Sequence, residues 1–392
     1  MFETLTARTT DSILTLMQAF RDDPRDDKID LGVGIWREPD GTTPVFKAVK
    51  AAEQHLWRTQ ETKAYVGMLG DSAFHTAVAQ LLFGQAPQRM AAAATVGGTS
   101  AVRQLLALTR VARPDATIWI PRQTWPNHWA LAQDLGLSAQ PYAWLDRAAC
   151  VLDRDAVLRD LSGVQAGDVV ILHACCHNPT GADPDPDLQA AILNVLQRNG
   201  AVPLIDAAYL GFADTPEADA GWIRQAAACL PEVLIAFSGS KSFGLYRERV
   251  GLAFVLSDHA GVVQSHLAVL NRMDFTFPPD HGARVVTEIL NDADLRRSWT
   301  EELGSIRGTL RTSRQRLAQA LRAELQSDLF DVLTDQVGMF ALLPLDETRV
   351  AHLREVHGIY MVGDGRINLA GVTEETCPRI ASALAEVMRG RG

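Results

Sequence analysis

The sequence predicts an α/β protein with a largely parallel sheet in a large domain and a smaller α+β lobe. Short apolar runs alternate with segments of helical period through the middle of the chain, the pattern of strand–helix–strand units. Past residue 290 that signal fades into a long helix-period run followed by short strands. At 392 residues the chain also exceeds the size at which one hydrophobic core keeps growing, so a second lobe is expected.

The elements follow in order. Residues 71–83 start with an N-cap candidate, Asp71, and place Phe74, Val78, Leu81 and Leu82 on one helix face. Strands are predicted at 93–95, 117–120, 169–173, 202–205, 233–237 and 252–256, with helical patterns at 100–111 and 188–197 among them. Leu295, Trp299, Leu303, Ile306, Leu310, Leu317, Leu321 and Leu325 then recur at helical spacing, over roughly eight turns, and suit a helix connecting two lobes. Short strands at 330–333, 338–343, 359–362 and 367–370 and a closing helix at 374–388 complete the chain. The expected division is a large domain over 43–300 and a small one built from both chain ends, 1–42 and 301–392.

Composition narrows the function. Hydrophobic residues at 47% and charged residues at 21% are the balance of an ordinary soluble enzyme. A net charge of −10 argues against nucleic acid and against an anionic membrane surface as partners. The five cysteines are odd in number and lack a C-x-x-C pair, so neither a disulfide framework nor a zinc site is expected. Cys176 beside His177 reads as a buried, inert thiol. No basic n-region with an apolar core opens the chain, and no apolar stretch is long enough to span a bilayer, so the expectation is a cytoplasmic protein.

Chemistry-bearing residues gather at the strand ends, where an open α/β sheet holds its ligands. Lys241 closes the run Val233-Leu234-Ile235-Ala236-Phe237 and lies in Ser238-Gly239-Ser240-Lys241-Ser242-Phe243-Gly244-Leu245-Tyr246-Arg247-Glu248-Arg249. An amine at a strand mouth loses water, which lowers its pKa and makes it a nucleophile toward carbonyls. Ser238, Ser240 and Arg249 add donors for an anion. Upstream, Thr95-Val96-Gly97-Gly98-Thr99-Ser100 joins a strand to a helix start with glycines, a setting for phosphate. Trp125, in Trp125-Pro126-Asn127-His128, can stack on a flat heteroaromatic ring. In His173-Ala174-Cys175-Cys176-His177-Asn178-Pro179-Thr180-Gly181 the turn residues hold the Asn178 amide rigid, able to donate to an oxyanion. Asp206 ends another apolar run, and a carboxylate so placed needs a cation such as a protonated pyridine nitrogen. Tyr209, three residues on, can reach the same ring's phenolic oxygen. Singly, these features also read as a surface lysine, a Gly-Gly turn, a core tryptophan and a tight turn; as a set they ask for pyridoxal phosphate.

Together the motifs resemble the class I aminotransferases of pyridoxal-phosphate fold type I, in particular the aspartate and aromatic amino-acid aminotransferases. The resemblance runs from Asp11-Ser12-Ile13-Leu14 to the last helix, with the motifs in the family's order. It implies that Lys241 anchors pyridoxal 5′-phosphate covalently and shuttles the proton, that Asp206 pairs with the ring nitrogen, and that Asn178 and Tyr209 bond the ring oxygen while Trp125 stacks. The Gly98 and Thr99 backbone, Ser238, Ser240 and Arg249 are implied to cradle the phosphate. Tyr65, in Lys63-Ala64-Tyr65-Val66-Gly67, matches the tyrosine that reaches the neighbouring subunit's phosphate, which implies a homodimer with shared active sites. Arg366 matches the clamp for the substrate α-carboxylate, with Gly34 adding a backbone contact. Arg272, before Pro278-Pro279, matches the partner-supplied arginine for a second carboxylate.

Departures from the family point to substrate choice. Gly239 stands where a larger residue is usual, which suggests looser packing behind the cofactor. Ala64 and Phe277 stand where strict aspartate enzymes carry asparagines, and Ile35 and Trp36 add apolar bulk, as in the aromatic-preferring branch. The implied activity moves the amino group of L-phenylalanine, tyrosine or tryptophan, and of aspartate, to 2-oxoglutarate by a ping-pong mechanism. The alternative makes aspartate the main donor. Elimination or decarboxylation at the same cofactor fits poorly with two carboxylate clamps, and no G-x-G-x-x-G follows the first strand to suggest a nicotinamide enzyme.

Overall fold

A computed structural model of the chain describes residues 1–4, 6, 12–38 and 41–390; Asp11, where the resemblance starts, lies outside them. A seven-stranded sheet runs Met90–Val96, Val250–Leu256, Val233–Ser238, Val202–Ala207, Val169–His173, Thr117–Pro121, Ser138–Tyr142 from edge to edge. Val250–Leu256 is antiparallel to both of its neighbours, and the four pairings from Val233–Ser238 to Ser138–Tyr142 are all parallel. Parallel strands need crossover helices, and these cover both faces, which is why the runs at 169–173 and 233–238 are buried at every position. All six predicted sheet strands are present.

Local signals set the helices. Asp71 accepts the Ala73 N–H at 2.9 Å, as an N-cap should. Asp292 does the same for Asp294 and Leu295 at the head of a 33-residue helix, Ala293–Leu325, whose buried stripe includes Trp299, Leu303, Ile306, Leu310, Leu317 and Leu321. Beyond it, chain ends meet: Ile29–Asp30 pairs parallel with Ile359–Tyr360, and Phe340–Leu342 pairs antiparallel with Arg366–Asn368. Among the described residues no helix is long and apolar enough to cross a membrane.

Two short elements differ from expectation, and one strand of the seven-stranded sheet carries no sequence signal. Residues 330–333 are not a strand: Asp331–Thr334 is a 3₁₀ turn, because Phe330 and Leu333 reach the core at a spacing of three rather than two. The strand expected at 367–370 is Arg366–Asn368, and the chain then turns through Leu369–Gly371. Ser138–Tyr142 lacks a strand pattern because it is a mostly exposed edge strand, Ser-Ala-Gln-Pro-Tyr, and an edge tolerates proline.

One buried cation ties this frame to the cleft. Arg314, on the long helix and 2% exposed, donates to the carbonyls of Val337, Gly338 and Phe340 at 2.8, 3.1 and 2.5 Å. A side chain on Gly181, held at φ +67°, would strike that guanidinium at 2.7 Å, so only glycine fits there. Arg314→Met would leave three carbonyls without this donor. It should destabilise the fold by about 2–4 kcal/mol, seen as a lower urea midpoint at unchanged slope. An unchanged midpoint would show that water replaces the guanidinium.

Candidate active site

The carboxyl ends of the parallel strands open on one cavity. It is lined by Gly98, Thr99, Trp125, Asn178, Asp206 and Tyr209, and by Ser238, Ser240, Lys241 and Arg249, with His173 and Ala208 completing the wall. Ten predicted residues thus converge from six segments of chain. A larger hollow of about 260 Å³ lies where the strands at Val169 and Val202 begin; its charged members, Arg113 and Glu232, face no comparable polar set.

One end of the cavity is built for an anion. The helix Gly97–Ala112 starts there and offers its first N–H groups. A Cβ on Gly98 would lie 2.8 Å from Ser238 Cβ, so glycine permits the close approach of these two walls. Arg249 donates to Ser240 Oγ at 3.3 Å from a left-handed backbone, φ +55°, which costs a non-glycine residue roughly 1 kcal/mol and is tolerated here beside the cradle.

The other end is acidic. Asp206 is 8% exposed and sits 3.4 Å from Nε2 of the fully buried His128, whose Nδ1 meets Thr124 Oγ1 at 2.8 Å. Behind it, burial and the neighbouring His128 push the His173 imidazole down to about 3, against the pull of Asp206, so His173 stays neutral. His177 stacks on Trp144 with centroids 4.4 Å apart. The Trp125 ring stands edge-on to His128 at 5.4 Å, on the cavity wall.

Lys241 lies between these ends. Among the described residues its ammonium has no hydrogen-bond partner; it faces the rings of Tyr209 and Tyr246 at 5.9 and 5.6 Å. Burial lowers its pKa to about 8, opposed by Asp206 and assisted by Arg249 and Arg366. The Tyr209 hydroxyl stays protonated, its pKa raised by burial.

At the edge of the same site Arg366 is 5% exposed, donates to Asn178 Oδ1 at 3.3 Å and to Gly32 O at 3.4 Å, and lies 4.7 Å over the Phe340 ring. Accepting through Oδ1 leaves the Asn178 amide nitrogen to donate into the cavity. A Cβ on Gly34 would meet Phe340 at 3.3 Å, which puts that glycine against the arginine's support.

Tyr65 and Arg272 do not line this cavity. Tyr65 is 85% exposed and stacks on Phe277 at 4.7 Å, and Arg272 is exposed near the end of Ala260–Asp274. Packing behind Gly239 is not loose: Val250 and Phe243 fill the space, with Val250 Cβ 3.1 Å from where a side chain would begin. Cys176 is buried and its thiol is pushed up to about 11 by burial, an inert group as expected. Motif reasoning does not single out His128, Thr124, His173, Tyr246 or Phe340. The first four sit in or beside the motif strings; no local signal marks Phe340.

The residues present fit pyridoxal phosphate: an anion cradle and a buried carboxylate at opposite ends, an indole on the wall, and a desolvated amine between.

The sequence matches the family model for aminotransferase class I and II over residues 26–384. It is 43% identical over 392 residues to an aromatic-amino-acid aminotransferase of Paracoccus denitrificans, covering 99% of this chain and 100% of that one. It is 37% identical to the aspartate aminotransferase of Escherichia coli, with 99% and 100% covered. An aromatic-amino-acid aminotransferase from Burkholderia pseudomallei, described as covalently bound to pyridoxal phosphate, superposes with a TM-score of 0.95 at 35% identity over 99% of this chain and 100% of that one. With its site assembled in this way and relatives matching end to end, the chain belongs to the class I and II aminotransferases, and its fold is theirs.

Proposed function

We propose that this enzyme transfers the α-amino group of L-phenylalanine, tyrosine and tryptophan, and of aspartate, to 2-oxoglutarate, using pyridoxal 5′-phosphate in two ping-pong half-reactions. The observation that carries it is the convergence of Lys241, Asp206 and the Ser240–Arg249 cradle on one cavity, with Arg366 hydrogen-bonded to Asn178 of its lining. When bound, the cofactor supplies a carbonyl for the amino group and an electron sink for the charge left at Cα. The chain's residues do the rest. Arg366 clamps the α-carboxylate, with the Gly34 backbone beside it. Lys241 anchors the cofactor and, once displaced by substrate, moves the proton at Cα. Asp206 holds the ring nitrogen protonated, and Asn178 and Tyr209 orient the ring oxygen. Gly98, Thr99, Ser238, Ser240 and Arg249 hold the phosphate, and Trp125 covers the ring face.

The active unit is a homodimer in this reading. Tyr65 and Arg272 lie outside their own chain's cavity, as residues serving a neighbour must. The exposed Val262, Val269 and Met273 of helix Ala260–Asp274 give a second copy an apolar face. Residues 43–300 form the large domain and both chain ends the small one. Free cysteines at all five positions suit the reducing cytoplasm.

Aromatic donors are favoured by Phe277 and Ala64 beside Tyr65, and by relatives named for aromatic substrates. Aspartate as main donor is the second reading; an exposed Arg272 with no ion-pair partner among the described residues suits a second carboxylate. Cofactor absorbance changes in single-turnover half-reactions with phenylalanine, tyrosine and aspartate decide between them. Phenylalanine and tyrosine should react fastest, and silence with all three would refute the activity.

A further inference from the structure

From the contacts around Lys241, we infer that Tyr246 is a positioning residue that joins the carboxylate-binding lip at 32–36 to the lysine and the phosphate arginine. The inference rests on the proposed roles of Arg366, Lys241 and Arg249.

The lip is held from two sides by different parts of the chain. On one side lies the strand Arg366–Asn368, in which alternate residues face the same way. Arg366 donates to Gly32 O, and the Asn368 amide donates to Val33 O at 2.6 Å and to Ile35 O at 2.9 Å. These bonds fix the lip's carbonyls. On the other side the Trp36 N–H donates to the Tyr246 hydroxyl at 3.0 Å. This bond spans 210 residues of sequence and links the small-lobe lip to the loop that follows Lys241.

Tyr246 also touches the two other working parts. Its ring lies 5.6 Å from Lys241 Nζ, and its backbone carbonyl accepts from Arg249 Nη1 at 3.3 Å. One half-buried side chain therefore meets the lip through its hydroxyl and the lysine through its ring, while its backbone meets the arginine. Those contacts are separable by substitution. Phenylalanine keeps the ring beside the amine and removes only the lip's acceptor; leucine removes both.

The lip borders the site of the α-carboxylate, the part every amino-acid donor shares. Loss of its anchor should therefore weaken all donors alike, unlike a change at Arg272. In Tyr246→Phe, KM for phenylalanine and for aspartate should each rise roughly ten-fold, the scale of one lost hydrogen bond with its donor left unpaired, while kcat changes little. Affinity for pyridoxal phosphate should stay the same. In the cofactor-free protein, hydrogen exchange in a peptide spanning residues 33–37 should accelerate, a readout independent of turnover. Tyr246→Leu should add a second effect, moving the pH at which Lys241 reacts with a small amine-directed reagent upward as water reaches the amine.

Unchanged KM values, unchanged exchange over 33–37, a loss confined to kcat, or a rise for one donor only would each overturn the inference. So would weakened cofactor binding in Tyr246→Phe, since that marks a general structural role. Failure of the functional reading looks different: the unsubstituted enzyme would then lack a pyridoxyl label on Lys241 after borohydride reduction.

Discussion

Lys241→Ala is expected to lose transamination by at least about 10⁴-fold, the upper scale for one general acid–base group, because anchor and proton carrier disappear together. The environment suits this lysine to both proposed roles. An ordinary lysine is almost wholly protonated at neutral pH and cannot attack a carbonyl. Burial brings Lys241 to about 8, with Arg249 and Arg366 assisting and Asp206 opposing. The sign is definite: below about pH 8 the amine is mostly charged and unreactive, and above it mostly neutral. Reaction of Lys241 with an amine-directed reagent in the cofactor-free protein should therefore rise through about pH 8 rather than near the usual lysine range. Borohydride reduction of the loaded enzyme followed by peptide mass spectrometry should place the pyridoxyl group on Lys241. A label on any other lysine would sink the assignment, whatever the activity of the alanine variant.

Arg272→Leu should split the two half-reactions. A dicarboxylate loses its distal ion pair, so turnover with aspartate and 2-oxoglutarate should fall by about 10²–10³, the scale for breaking a charge pair that excludes water. Phenylalanine makes no such pair, and its half-reaction should be largely spared. The guanidinium can leave when an aromatic ring arrives, because it starts exposed and no described residue tethers it. In the proposed reading, Ala64 lacks the tether that an asparagine there would offer. Phe277 acts in two ways, because its ring also stacks on Tyr65, so Ala64→Asn with Phe277→Asn removes that support together with an apolar wall. The pair should depress phenylalanine turnover more than aspartate turnover. Mixed dimers test the shared site directly. Lys241→Ala paired with Arg272→Ala should regain one dicarboxylate site, whereas Lys241→Ala paired with Arg366→Ala should regain none. If Arg272→Leu slows both half-reactions equally, the residue is structural and the aromatic preference loses its main physical support.

Local pattern predicted six strands of the main sheet, the long helix and the polar residues at the strand ends, whereas Ser138–Tyr142 carries no such signal and the roles of Tyr65, Arg272 and Arg366 rest on the family resemblance. Strand periodicity, N-caps and turn chemistry act over a few residues, so Asp71, the run 233–237 and Asn178-Pro179 are legible in the sequence. Asp206 and Lys241 stand out because polar chemistry at the end of an apolar run is costly unless it serves something. What needed the tertiary structure was everything depending on partners distant in sequence. The Trp36–Tyr246 bond, Phe340 beneath Arg366 and the support of Tyr65 by Phe277 join residues 26 to 212 positions apart, and no local signal records such pairs. Gly239 makes the same point in reverse. A glycine in a string suggests empty space, but whether space is empty is decided by what folds against it, and Val250 fills it. The sequence by itself marked the candidate chemical groups; packing decided what holds them, because contact energies belong to surfaces that meet only after folding.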